Sequence, residues 1–224
     1  MLLYHGSPQK VEAPSLAKAK ANNDYGRGVY CTEDIEMAKE WAVRKGAQGF
    51  ANCYEFNAEG LRIINLQSED YSVLNWIALL CKNRRFDPER EVEDRAMQYL
   101  LAYFLPDVAD ADVIIGYRAD DSYFTFAKDF VSNVLTLRQL RKALELGKLG
   151  VQVALVSEKA IQRLKFIHAE AVEGTEYTMR WTIRERLATS DYHKKVSVSE
   201  TFDDDIFIMD IVRGRMKHGD SRLR

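Results

Sequence analysis

The chain has 224 residues, about one and a half times the ~150 residues expected of a single domain. With 46% hydrophobic, 11% aromatic and 29% charged residues, it can build a core, which excludes a disordered or collagen-like chain. Lys and Arg number 32 against 34 acids, a net charge of −2, so no overall basic field is available for holding nucleic acid non-specifically and only a local basic groove is left open.

No run approaches 18 apolar residues, and Met1 to His5 passes straight into Gly6-Ser7-Pro8 with neither a charged leader nor a long apolar stretch. The expectation is a cytoplasmic chain without a membrane span or signal peptide. Cys31, Cys53 and Cys81 are widely spaced and form no C-x-x-C, so the sequence predicts reduced, buried cysteines, no disulfide framework and no metal.

In chain order, Leu2 to His5 reads as a buried strand closed by the Gly6-Ser7-Pro8 turn. A polar, glycine-bearing stretch from Ala17 to Gly28 leads into a short strand, Val29 to Cys31, with Thr32 as N-cap of a helix from Glu33 to about Lys45. Asn52 to Phe56 and Leu61 to Leu66 read as a hairpin around the Asn57–Gly60 turn. Two helical patterns, Ser68 to Cys81 and Glu89 to Phe104, suggest a helical insertion over about 68–105. Ala111 to Tyr117 is a strand, and Asp120-Asp121-Ser122 reads as a loop. Thr136 to Gln139 is a capping box opening a helix that Gly147 ends. Val151 to Val156 is a strand, Ser157 caps a short helix to about Leu164, and a strand follows from Phe166 to Ala171. Beyond it lie a helical pattern from Tyr177 to Leu187, the acidic run Asp203 to Asp205, an apolar run to Val212 and a basic tail. Strands and helices alternate without a steady βαβ rhythm, which points to an α+β fold, with a domain over 1–171 and an extension over 172–224.

No phosphate loop, hydrolase elbow or zincin motif is present. What remains is Tyr4-His5-Gly6-Ser7, Asp24-Tyr25-Gly26-Arg27-Gly28-Val29-Tyr30, and Val151-Gln152-Val153. Together they resemble the ADP-ribosyltransferase superfamily, in the branch of diphtheria toxin and the poly-ADP-ribose polymerases, as a His-Tyr-Gln variant. With Ala38, Trp41-Ala42, Asp112 to Gly116 and Ala119-Asp120-Asp121, the chain also looks like an uncharacterised bacterial family of that type.

The resemblance implies two packed, mainly antiparallel sheets around an NAD cleft and an enzyme that moves a single ADP-ribose from NAD to an acceptor, protein or nucleic acid. The catalytic residues implied are His5, Tyr30 and Gln152. Gly6 and Ser7 would hold the nicotinamide carboxamide, His5 the adenosine ribose, Tyr30 the nicotinamide face, and Gln152 the nicotinamide ribose. Arg27 with the amides of Gly26 and Gly28 would meet the pyrophosphate, and Asp24 would shape that loop. Asp120, Asp121 and Tyr123 are candidates for the acceptor side. The resemblance further implies NAD as substrate, and a bacterial toxin or defence effector with a neutralising antitoxin as partner. Gln152 cannot ionise, which disfavours chain elongation and keeps two alternatives open: a non-catalytic NAD or ADP-ribose binding module, and a relative of the RNA 2′-phosphotransferases. Taken singly, a strand-end histidine, a core tyrosine and a strand-edge glutamine each have a plain packing role.

Overall fold

The computed structural model describes residues 1–43, 47–146 and 150–223, so the expected helix end at Lys45 and the stop at Gly147 lie outside the described residues. The chain divides into two compact units, one of Met1–Asn65, Val108–Tyr117 and Leu149–Arg184, the other of Leu66–Asp107, Arg118–Lys148 and Glu185–Arg224.

The first unit is α+β. Strands β1 (Leu2–Ser7), β3 (Gly49–Phe56) and β7 (Leu164–Val172) form an antiparallel sheet in the order β1-β3-β7. A second sheet runs β2-β6-β5-β4, from β2 (Val29–Cys31), β6 (Val151–Leu155), β5 (Val113–Tyr117) and β4 (Ile63–Asn65). Its pairs are antiparallel except β4 with β5. The sheets meet where Tyr4 and Thr32 exchange backbone hydrogen bonds of 2.8 and 3.0 Å.

The hairpin expected of Asn52–Leu66 does not form. The chain leaves the first sheet at Phe56, turns through Gly60 at φ +73°, and β4 enters the second sheet against β5. Thr32 is not the N-cap of α1 (Ile35–Ala42) either: Asp34 accepts from the amides of Glu36 and Met37, while the Thr32 backbone bonds β1. In the second sheet, Val29, Cys31, Val113, Val153 and Leu155 face a core shared with Leu3 and Phe56. Strand alternation therefore sets Tyr30, Gln152 and Ala154 on the opposite face. Burial pushes the Cys31 thiol up to about 12.

Helix α1 crosses the first sheet on Ala38 and Ala42, small enough for backbone-to-backbone approach. At the start of β5, Asp112 accepts from the Ser157 hydroxyl, the Arg62 amide and Lys159, which together hold its carboxyl below the usual range. Ser157 in turn caps α6 (Glu158–Ile161). Asp112 thus anchors three neighbouring segments, a structural role for a residue of the resemblance.

The second unit is helical. It holds α2 (Val73–Asn83), α3 (Glu91–Tyr103), α4 (Asp121–Val131), α5 (Leu137–Leu144), α8 (Ile208–Arg213) and the last turns of α7 (Gly174–Asp191). Helix α2 is apolar almost all round, with Leu74, Trp76, Ile77, Leu79 and Leu80 buried, as expected of a central helix. Asp120-Asp121-Ser122 is not a loop: Asp120 is the N-cap of α4, and Asp121 lies in its first turn. Asp205 is not merely solvated, since Arg138 holds it with two bonds of 2.8 and 2.6 Å. The Thr136–Gln139 capping box of α5 is present. Among the described residues, no helix is long and apolar enough to cross a membrane.

Candidate functional site

His5 lies near the end of β1, on the strand that touches both sheets. Its Nδ1 is 2.7 Å from the backbone oxygen of Tyr30 on β2. A carbonyl only accepts, so Nδ1 carries the proton and Nε2 is left as an acceptor in the neutral ring. Burial lowers the pKa of His5 from its ordinary 6.5, which keeps the ring neutral at pH 7.

Gly6 follows with its backbone on a constrained path. A Cβ there would sit 2.2 Å from the Ala38 oxygen and 2.7 Å from the Ala42 nitrogen, so glycine is required by the approach of α1. Because Tyr4 turns its N–H and C=O toward β2, alternation turns those of Gly6 to the same edge, beyond the bridge that joins the strands. The segment after β1 is pinned by Asn52, fully buried, whose side chain donates to the His5 and Gln9 oxygens and accepts from the Val11 amide. The Ser7 hydroxyl accepts from the Gln9 amide at 3.2 Å and keeps its proton to donate. Gly6→Ala is expected to destabilise by about 3 kcal/mol or more, against about 1 kcal/mol for Gly60→Ala, where only the positive φ is strained and no atom lies within 4 Å. Urea unfolding of both variants checks this, and equal losses would contradict the approach of α1.

Tyr30 closes the loop that precedes it. Its hydroxyl donates to the Gly26 oxygen at 2.7 Å and accepts from the Tyr25 amide at 3.0 Å, and the two tyrosine rings lie parallel, 9° apart in plane with centroids 6.4 Å apart. Gly26 adopts φ +81°, a conformation glycine reaches without strain, and its amide donates to the Asn23 oxygen at 3.0 Å. That amide is committed to the turn, which removes it from the anion contacts expected of it. Arg27 donates to the Ala19 and Leu16 oxygens and staples the loop. Gly28 packs where a Cβ would meet the Leu155 oxygen at 2.9 Å.

Gln152 stands on the face of β6 that it shares with Tyr30, opposite Gly116 of β5. Its Nε2 donates to Asp24 Oδ2 at 2.7 Å and to the Tyr117 oxygen at 3.1 Å, and both Gln152 and Asp24 are buried. Tyr25 donates its hydroxyl to that same Tyr117 oxygen at 2.6 Å. Both protons of the Gln152 amide are therefore assigned, and among the described residues its Oε1 accepts no hydrogen bond. A neutral residue at this position is thus backed by a carboxylate 128 positions away in the chain. Asp24 is not simply a loop-shaping residue, since its carboxylate accepts from Gln152.

A family model described as a protein of unknown function (DUF3990) matches residues 1–166. The chain belongs to the DUF3990 family. The match includes His5, Asp24, Tyr30 and Gln152 and stops within β7, leaving α7, α8 and the basic tail of this DUF3990 chain outside it. No curated protein and no solved structure matches the chain.

The remaining candidates of this DUF3990 chain fall in the second unit. Tyr123 is 2% exposed and its hydroxyl lies on the carbonyl oxygens of Leu144 and Leu146, so the structure places it in the packing of this unit. Arg118 pairs with Asp120 at 3.0 Å, and Asp121 is exposed. Sequence reasoning missed Tyr25 and Asn52 as organisers. Tyr25 could have been noticed as the aromatic beside Asp24 in the glycine-bearing loop, whereas Asn52 carries no signal within a strand.

Proposed function

We propose that this chain is an NAD-dependent ADP-ribosyltransferase that transfers one ADP-ribose, built on the fold that its motifs resemble. The observation that carries the reading is the convergence of three strand-borne groups. These are a neutral His5 tied to Tyr30, the Tyr30 ring, and a Gln152 whose free oxygen is backed by the Asp24 carboxylate.

In this reading the bond between nicotinamide and C1′ of its ribose breaks, and nicotinamide leaves with the bonding pair. The sugar passes through an oxocarbenium-like state, and an acceptor nucleophile bonds C1′ and releases its proton to solvent or a base. Gly6 and Ser7 hold the carboxamide of the leaving group. His5 Nε2 accepts a hydrogen bond from the adenosine ribose, and Tyr30 covers the nicotinamide ring. Gln152 Oε1 accepts from a hydroxyl of the nicotinamide ribose. The Asp24 charge polarises that amide and favours positive charge developing at C1′.

Gln152 is 3% exposed, so NAD must move residues 25–28 aside to reach Oε1, with Asp24 staying on the Gln152 amide. The contacts that yield include Tyr25 on the Tyr117 oxygen and Tyr30 on the Gly26 oxygen. The phosphotransferase alternative calls for several cations in line, and the cation of this loop, Arg27, is engaged by carbonyl oxygens.

The test is incubation with NAD labelled on the adenylate, following nicotinamide release and label transfer to cell lysate, beside His5→Ala and Tyr30→Ala. The expected result is release that both variants abolish. Saturable NAD binding without release makes the chain a binding module, and absence of binding overturns the reading.

A further inference from the structure

The second unit carries a concavity of about 510 Å³ between α3 and the segment after α8, within the roughly 300–1,000 Å³ typical of ligand sites. Its charged lining is Arg95, Arg215 and Lys217, with no carboxylate among the lining residues. Among the described residues none of these three cations has a carboxylate partner. Asp220, on the segment that follows Lys217, is paired with Arg222 at 2.6 Å.

Uncompensated like charges repel, so the gathering of three along one groove is stabilised by an anion. The floor is aromatic. Tyr99 and Tyr103 lie with ring centroids 4.5 Å apart, and Tyr103 is 41% exposed. Lys217 stands over the Tyr103 ring at 4.7 Å. The platform is fixed, because the Tyr99 hydroxyl donates to the Met216 oxygen at 3.1 Å and so ties the basic segment to α3. Arg215 takes φ +49° as the residue that ends α8, where its amide bonds the Val212 oxygen and the Met216 amide the Ile211 oxygen, a helix stop that fixes the course of the basic segment.

We infer that this groove binds single-stranded nucleic acid, with bases stacked on Tyr103 and phosphates held by Arg95, Arg215 and Lys217. Cations alone would suit any polyanion, and the exposed tyrosine beside them distinguishes a strand with unpaired bases, since base–aromatic stacking is largely indifferent to sequence. The net charge of −2 is no obstacle, because the field is local. The site does not depend on the transferase reading.

The experiment is fluorescence anisotropy of the full chain with labelled 20-mers of deoxythymidine and of uridine, and with a phosphoserine peptide, over a series of salt concentrations. Binding of one or both oligonucleotides is expected, with a slope of log affinity against log salt near −2 for three phosphate contacts. Which oligonucleotide binds tells DNA from RNA. Arg95→Ala, Arg215→Ala and Lys217→Ala should each flatten the slope by about 0.7. Tyr103→Ala should weaken binding about tenfold and leave the slope unchanged. The three cations are exposed, so these variants retain the fold, which circular dichroism verifies. No binding to either oligonucleotide overturns the inference, as does tighter binding of the phosphopeptide or an affinity indifferent to Tyr103.

Discussion

Gln152→Glu is expected to destabilise the chain by about 3–5 kcal/mol at neutral pH rather than to complete a more familiar catalytic pattern. Gln152 donates to Asp24 at 2.7 Å in a site where both side chains are buried, so the substitution faces one carboxylate with another. Two acids at that distance cannot both ionise, and one of their pKa values rises strongly. The sign follows from linkage: a folded-state pKa raised above the unfolded value of about 4.3 leaves stability intact below pH 4 and removes it as pH rises. Melting temperature measured from pH 4 to pH 8 should therefore fall for Gln152→Glu and hold steadier for the parent. Adding Asp24→Asn reverses the pair, since the asparagine amide can donate to the new carboxylate, and should restore most of the loss. Asp24→Asn alone should lower nicotinamide release about 100-fold, the loss typical when one preorganised electrostatic group is removed, with NAD affinity little changed. Should the double variant remain as unstable as Gln152→Glu, Asp24 is not what the glutamine amide answers to.

That carboxylate was not legible in the sequence, and the reason is physical. Asp24 sits in a polar loop with Asn22 and Asn23, where an acid ordinarily shapes a turn, and its partner is 128 residues on. The short apolar runs bounded by turn residues were readable, which is why β1, β2, β5, β6 and β7 fall where the pattern puts them. Pairing was not: Asn57 to Gly60 has the composition of a hairpin turn, yet it carries the chain from one sheet to the other, because β3 is already flanked by β1 and β7. Helix α4 was hidden by a double meaning. Asp-Asp-Ser favours a turn and also the first turn of a helix, and only the buried Tyr123, Phe126, Ala127 and Phe130 that follow decide for the helix. At the site, the neighbours His5 and Tyr30 were readable from the motif. The commitment of the Gly26 amide to Asn23, and the role of α1 in demanding a glycine at position 6, required the backbone.

His5→Asn is expected to keep the fold while lowering apparent NAD affinity by about 2- to 10-fold, the loss of one neutral hydrogen bond of about 0.5–1.5 kcal/mol. The asparagine amide can stand where Nδ1 stands and donate to the Tyr30 oxygen, the bond of 2.7 Å that joins β1 to β2, but it places nothing where Nε2 was. His5→Ala removes both and should lower the melting temperature as well, leaving the Tyr30 oxygen without that donor. A purely structural histidine would show the opposite pattern, with His5→Asn restoring binding along with stability. The pH profile separates the roles further. Burial lowers the pKa of His5 below 6.5, so the unfolded chain takes up a proton before the folded one does. The stability from the neutral ring is complete above pH 6.5 and is lost as pH falls through the lowered folded value. Protonation also turns Nε2 into a donor, so NAD affinity should fall over that same acidic range in the parent and stay flat in His5→Asn. Isothermal titration at pH 5, 6 and 7 reads this directly, and an equal pH dependence in both proteins would place the titrating group elsewhere.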